Sequence, residues 1–136
     1  MYNKILVPID PSHFDEANPT LDLAEHLKSE DGQVVLLSVV EEIPAYVANQ
    51  IPEELLTNAV KSAVTGLKAL ADSRGMNAVT LVKNGHAAAT IKEVQKEQDC
   101  DLIIISSHKP TTVDYVLGST ASKVVRRAQC PVFVTR

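Results

Sequence analysis

Glycine is scarce in this chain, and its placement excludes two common nucleotide-binding loops. Only five of the 136 residues are glycine (Gly32, Gly66, Gly75, Gly85 and Gly118), and no two stand close together. A G-x-G-x-x-G dinucleotide fingerprint and a Walker phosphate loop both need clustered glycines, so neither is present. Cysteine is nearly as sparse. Cys100 and Cys130 are too few for a disulfide framework, which makes a reducing cytoplasm the expected compartment. Positive charge is in deficit, with 13 Lys and Arg against 17 Asp and Glu. A nucleic-acid surface would need a concentrated basic patch, so nucleic acid is not an expected partner. A membrane is not expected either, because no apolar run approaches the ~20 residues that span a bilayer. The opening Met1-Tyr2-Asn3-Lys4-Ile5 also lacks a signal-peptide layout.

What is present is a core. Hydrophobic residues make up 45% of the chain, enough for one compact domain over residues 1–136. Five short runs rich in Val and Ile read as strands: Ile5 to Ile9, Val34 to Val40, Ala78 to Val82, Leu102 to Ile105 and Val132 to Val134. They are nearly continuous rather than alternating, the pattern of strands buried on both faces of a parallel sheet. Helical spacing fills the gaps. Phe14, Ala17, Leu21, Ala24 and Leu27 share one face, with a start at either Ser12 or Asn18-Pro19. A second, longer stripe runs through Leu56, Ala59, Val60, Ala63, Val64, Leu67, Leu70 and Ala71, opening at Pro52 and stopping at Gly75. A third helix from Ala87 to Gln98 buries Ala87, Ile91 and Val94, and a fourth after Gly118 buries Ala121, Val124 and Val125. Strands alternating with helices imply an α/β, doubly wound, open five-stranded parallel sheet.

In such a sheet ligands bind at the carboxyl ends of strands, where strand order reverses. That rule selects Pro8-Ile9-Asp10-Pro11-Ser12, Val39-Val40-Glu41 and Ser106-Ser107-His108-Lys109-Pro110. Gly118-Ser119-Thr120, at the start of a helix, reads either as an anion cradle or as a plain serine N-cap. Lys109 reads either as a partner for a polyphosphate or as a solvated surface lysine. Asp10 suits a ribose hydroxyl or a metal's water shell, and equally a capping role before Pro11. His13, His26 and His86 share no metal-ligand spacing and read as surface residues, and Ser106 and Ser107 lack a His-Asp arrangement for nucleophilic catalysis. No catalytic and no metal-ligating residue is assigned.

The chain resembles the universal stress protein family over nearly its full length. The resemblance is carried by Lys4-Ile5-Leu6-Val7-Pro8-Ile9-Asp10, Val35-Leu36-Leu37-Ser38-Val39-Val40, Asp101 to His108, Leu117 to Val124, and Cys130-Pro131-Val132-Phe133-Val134. It implies that family's fold, the adenine nucleotide alpha hydrolase-like arrangement, with strand order 3-2-1-4-5. The family's ATP-binding branch carries G-x2-G-x9-G-S/T, whereas here Ser106 and Lys109 replace the first two glycines. Ser107-His108-Lys109-Pro110 and the following Tyr115-Val116-Leu117-Gly118-Ser119 instead resemble the S-H-R/K-P variant associated with ATP. The resemblance implies ATP, ADP or AMP as ligand, with Mg²⁺ bridging phosphate oxygens. Adenine would lie against Val39, adenosine near Ile9 and Asp10, with Pro8 shaping the wall. Phosphates would cross Ser106, Ser107, His108 and Lys109 and end on Gly118, Ser119 and Thr120. The implied activity is nucleotide-responsive stress signalling with negligible or slow hydrolysis. The alternatives are a nucleotide-free interaction module and a slow ATPase. The apolar last strand, Val132 to Arg136, would lie at the sheet edge and pair with a second copy, giving a homodimer or higher oligomer that acts on a client protein.

Overall fold

The computed structural model describes residues 1–41, 47, 50, 52–107 and 117–136. Its strands are β1 (Tyr2–Pro8), β2 (Lys28–Glu41), β3 (Ala78–Gly85), β4 (Leu102–Ser106) and β5 (Val132–Thr135). The helices are α1 (Asn18–Leu27), α2 (Glu53–Ser73), α3 (Ala87–Glu97) and α4 (Ser119–Arg127), with a short 3-10 turn at Phe14–Glu16. All pairings are parallel and the order is β3-β2-β1-β4-β5. The expected fold class and strand order are therefore observed.

Strand pleating explains why these runs are apolar throughout. Successive side chains point to opposite faces, so both must be covered. Ile5, Val7, Val34, Leu36, Leu102 and Ile104 pack against α1 and α2 through Leu21, Ala24, Leu67 and Ala71. Leu6, Val35, Leu37, Ile103 and Ile105 pack against α3 and α4 through Ala88, Ile91, Val94, Ala121 and Val124.

The helix starts and stops follow local chemistry. Of the two starts expected for α1, Asn18-Pro19 is the one used, and Phe14 falls in the preceding 3-10 turn instead. Pro52 is the N-cap of α2 rather than its first helical residue. At the other end Gly75 takes φ 63°, with its N–H on Asp72 C=O at 3.1 Å and Met76 N–H on Ala71 C=O at 3.0 Å. This double reverse bond closes the last carbonyls of a helix, and it needs a left-handed residue where Gly75 stands.

Two features depart from the periodicity reading. Val64 and Val125 are 48% and 45% exposed, and Ala59 is exposed as well, so none of the three belongs to the core. The buried line of α2 is the narrower Ala63, Leu67 and Ala71. The second departure is β2, which begins at polar Lys28 rather than Val34. Tyr2 pairs Lys28 and Lys4 pairs Gln33, leaving a bulge between them.

Two polar ties fix the base of the sheet. The Asp101 carboxylate accepts the backbone N–H of Asn3 at 2.8 Å and of Lys4 at 2.9 Å, binding the start of β4 to the start of β1. Arg74 bridges Asp22 and Glu25 and donates to Asn18 Oδ1 at 3.1 Å, holding the end of α2 to α1. Both thiols are free, with Cys100 buried between Gln95 and the strand start. No described helix is long and apolar enough to cross a membrane. The connection that follows Glu41, and residues 108–116, lie largely outside the described residues.

Candidate functional site

β1 connects to β2 through α1 on one face, while β3 reaches β4 by crossing β1 on the other face. The connections therefore part at the carboxyl ends of β1 and β4, and a cleft opens there. Its volume is ≈ 630 Å³.

The end of β1 is held firmly. Ile9 N–H donates to Leu37 C=O at 2.7 Å, and the hydroxyl of fully buried Ser38 donates to Ile9 C=O at 2.8 Å. With both polar groups of Ile9 engaged by β2, the chain leaves the sheet at Asp10. The Asp10 carbonyl accepts His13 N–H at 2.9 Å, closing a turn over Pro11 and Ser12. Its carboxylate accepts Ser12 N–H at 2.8 Å on Oδ1 and meets His13 Nδ1 at 3.1 Å on Oδ2. An aspartate that bonds its own backbone two residues on is a turn former, so Asp10 caps a turn rather than a helix. The bond to Asp10 raises the His13 pKa above its ordinary 6.5, with the charges of Asp10, Glu16 and Asp15 adding to the shift.

The β2 wall follows from strand parity. Leu37 directs its carbonyl toward β1, because Ile9 bonds it. In a parallel strand the backbone groups two residues on face the same neighbour, so Val39 presents its N–H and C=O toward β1 as well. β1 has ended by that point, since its last registered pair is Pro8 with Leu37. The backbone edge of Val39 therefore faces the cleft.

The far wall is the start of α4. Its N-cap is Gly118 at φ −60°, ψ 155°, with no side-chain cap. The first intrahelical bond is Ser122 N–H to Gly118 C=O at 2.9 Å. The N–H groups of Ser119, Thr120 and Ala121 precede it and carry the positive end of the helix dipole. Serine is thus not the N-cap, and no side chain caps this helix start, which an anion can approach. Ser107 braces it from behind. Its N–H donates to Thr135 C=O at 2.7 Å, and its hydroxyl accepts Gly118 N–H at 3.1 Å.

Pro8, Ile9, Asp10, Val39, Ser106, Gly118, Ser119 and Thr120 all line this one cleft. Ser107 is not among the lining residues, and its hydroxyl is engaged by Gly118. His108 and Lys109 lie outside the described residues. Glu41, at the selected end of the second strand, also lines the cleft, together with residues that the sequence reading does not single out: His13, Glu16 and Ser62. His13 had one legible signal, its position three residues after Asp10 across a Pro-Ser turn. Ser62 had none, because its place depends on how α2 crosses the sheet.

The cleft brings together an anion cradle at the start of α4 and the acidic acceptors Asp10, Glu16 and Glu41. Its apolar lining includes Ile9, Val39, Ile91 and Ile105. Such a site suits a ligand with a phosphate, hydroxyls and a flat apolar body. Among the described residues no group of three or more His, Cys, Asp or Glu is placed to hold a metal ion.

Comparison with known proteins agrees with the fold. The chain is 30% identical to universal stress protein YxiE of Bacillus subtilis over 151 residues, covering all of both chains. It is 28% identical to universal stress protein G of Salmonella typhimurium over 142 residues, again covering all of both. The solved universal stress protein UspA from Lactobacillus plantarum superposes with TM-score 0.71 at 26% identity, with 99% of this chain and 98% of that one covered. Two more distant structures share the fold at 18% identity, and each was solved with a nucleotide. One is a universal stress protein in complex with cAMP (TM-score 0.61, covering 99% of this chain and 97% of that one). The other, from Archaeoglobus fulgidus, is in complex with dAMP (TM-score 0.64, 99% and 98%). The universal stress protein family model matches residues 1–136, and the chain belongs to that family.

Proposed function

We propose that the cleft binds an adenine nucleotide, ATP above all, and that the chain is a dimeric, nucleotide-responsive stress protein of the cytoplasm with negligible or slow hydrolysis. The observation that carries this reading is one of alignment. The uncapped start of α4 and the open backbone edge of Val39 face the same cleft from opposite sides of Asp10. Adenine has adjacent donor and acceptor atoms, which a strand's N–H and C=O can meet together. Asp10 accepts ribose hydroxyls from its place on the turn. The phosphates end on Gly118, Ser119 and Thr120, where helix N–H groups and two hydroxyls converge. Ser106 flanks them, Ser107 orients Gly118, and His108 and Lys109 complete the S-H-R/K-P pattern as phosphate partners. Mg²⁺, carried by the nucleotide and not by a protein ligand set, would supply charge neutralisation at the phosphates. The cAMP and dAMP bound by the two distant fold relatives support this ligand class.

Dimerisation uses β5. It is an edge strand with Phe133 45% exposed, and an uncovered apolar edge can pair with its counterpart on a second copy. The test is mass spectrometry of small molecules released from the purified protein, together with thermal melts with and without ATP. Released adenine nucleotide and a raised melting temperature are expected. Finding neither would overturn nucleotide binding and leave an interaction module. Rapid ADP release that is lost in His108→Ala would replace signalling by hydrolysis.

A further inference from the structure

We propose that His13 is a working part of the nucleotide cleft: it holds the Asp10 carboxylate in place and, when protonated, supplies positive charge that draws an anionic ligand into an acidic wall. The inference rests on the nucleotide reading above and adds control by pH to the same site.

The geometry is that of a braced acceptor. Both Asp10 oxygens are engaged, Oδ1 by Ser12 N–H at 2.8 Å and Oδ2 by His13 Nδ1 at 3.1 Å. Each oxygen retains a second lone pair, so a ligand hydroxyl meets a carboxylate whose direction is already fixed. The brace is itself anchored, because Phe14, next in the chain, lays its ring against Gly66 of α2. The Asp10 and His13 side chains are 60% and 44% exposed, so both remain open to the cleft and to protons from solvent.

Charge makes the site depend on that proton. Asp10, Glu16 and Glu41 line the cleft, and no described lining residue is Lys or Arg. Asp15 adds a further carboxylate on the turn that carries Glu16, while α2, α3 and α4 contribute only uncharged residues to the lining. Among the described lining residues His13 is the one that can become positive. Its bond to Asp10 favours the protonated ring, so its titration extends above the usual histidine range. Binding an anion nearby stabilises the imidazolium further. By linkage, nucleotide binding then takes up a proton, and affinity falls as pH rises through the His13 pKa.

The test compares cAMP, whose single phosphate charge does not change between about pH 5.5 and about pH 8.5, with neutral adenosine. Calorimetric titrations of the full chain across that range are expected to show cAMP affinity falling on the order of three- to tenfold, with adenosine unchanged. His13→Gln keeps a donor for Asp10 but carries no charge. It should bind cAMP at every pH as the wild type does at the alkaline end. Asp10→Asn removes the group that favours the protonated ring, so the midpoint of the profile should move to lower pH. His108→Gln, whatever it does to the affinity, should keep the slope. A slope that survives His13→Gln, or one that vanishes in His108→Gln, would overturn the inference while leaving nucleotide binding intact. Failure of both ligands to bind at any pH would overturn the nucleotide reading, and this inference with it.

Discussion

Phe14 and Gly66 occupy space that only one of them can fill. A β-carbon on Gly66 would stand 2.5 Å from Cε2 of the Phe14 ring and 2.7 Å from Cδ2. Glycine inside a helix is unfavourable by roughly 1 kcal/mol relative to alanine, so its presence in the middle of α2 calls for a reason, and the ring supplies one. Gly66→Ala is therefore expected to destabilise the fold by about 1 kcal/mol net, since overpacking outweighs the gain in helix propensity. Chemical denaturation measures this. Phe14→Leu combined with Gly66→Ala should recover most of the loss, and a simply additive double mutant would refute the contact as the cause.

The dihedrals of Gly118, φ −60° and ψ 155°, are open to any residue. Gly118→Val therefore strains no backbone, and its effect on folding should stay near 1 kcal/mol, the usual scale of an N-cap change. Its branched side chain would stand over the N–H groups of Ser119 and Thr120. Nucleotide affinity is expected to fall more than tenfold while the melting temperature drops by only a few degrees. Equal ATP affinity in the variant would rule out this end of the cleft as the phosphate site.

Burial pushes the Cys100 thiol up to about 11, from an ordinary value of 9.0. In the unfolded chain the thiol ionises first as pH rises. The stability it confers is complete below the ordinary value and is lost between that value and the folded one. Over that alkaline window wild type should lose stability faster than Cys100→Ala, by at most about 1.4 kcal/mol per pH unit. Denaturation midpoints measured across the window decide it, and parallel slopes would contradict the shift.

Phe133 points to the sheet face opposite Val132 and Val134, which pack toward α4. An arginine at this position stays solvated on a free edge and disrupts a paired one. Phe133→Arg should leave the melting temperature of a dilute sample nearly unchanged and shift the sedimentation mass from dimer to monomer. An unchanged mass would place the interface elsewhere.

Much of the fold was legible because each buried strand is apolar on both sides and each gap carries a helical stripe. Register and helix width were not. Ala59 and Val64 are apolar and correctly spaced, yet α2 meets the sheet along a line that fully buries Ala63, Leu67 and Ala71 and leaves both of them exposed. Lys28 to Gly32 are polar and precede the apolar run that begins at Val34, and they become strand because Tyr2 pairs Lys28 across a bulge. In the site, Asp10 and Val39 followed from the rule that ligands gather at strand ends, and Gly118 from its place at a helix start. The part of His13 did not, because a lone histidine acquires meaning only when a turn folds it back onto a carboxylate. Ser107 was legible in position but not in engagement, since its partner Gly118 lies beyond an intervening loop.

The Asp101 tie joins β1 and β4 at their amino ends, and only two residue pairs are registered between those strands beyond it. The same two strands are thus laced at the bottom and parted at the top. The sheet is secured at one pole, and the cleft opens at the other. Ser106, at the carboxyl end of β4, stands apart from that lacing. The residues that follow β4 can change while the tie at the amino ends holds the two strands in place.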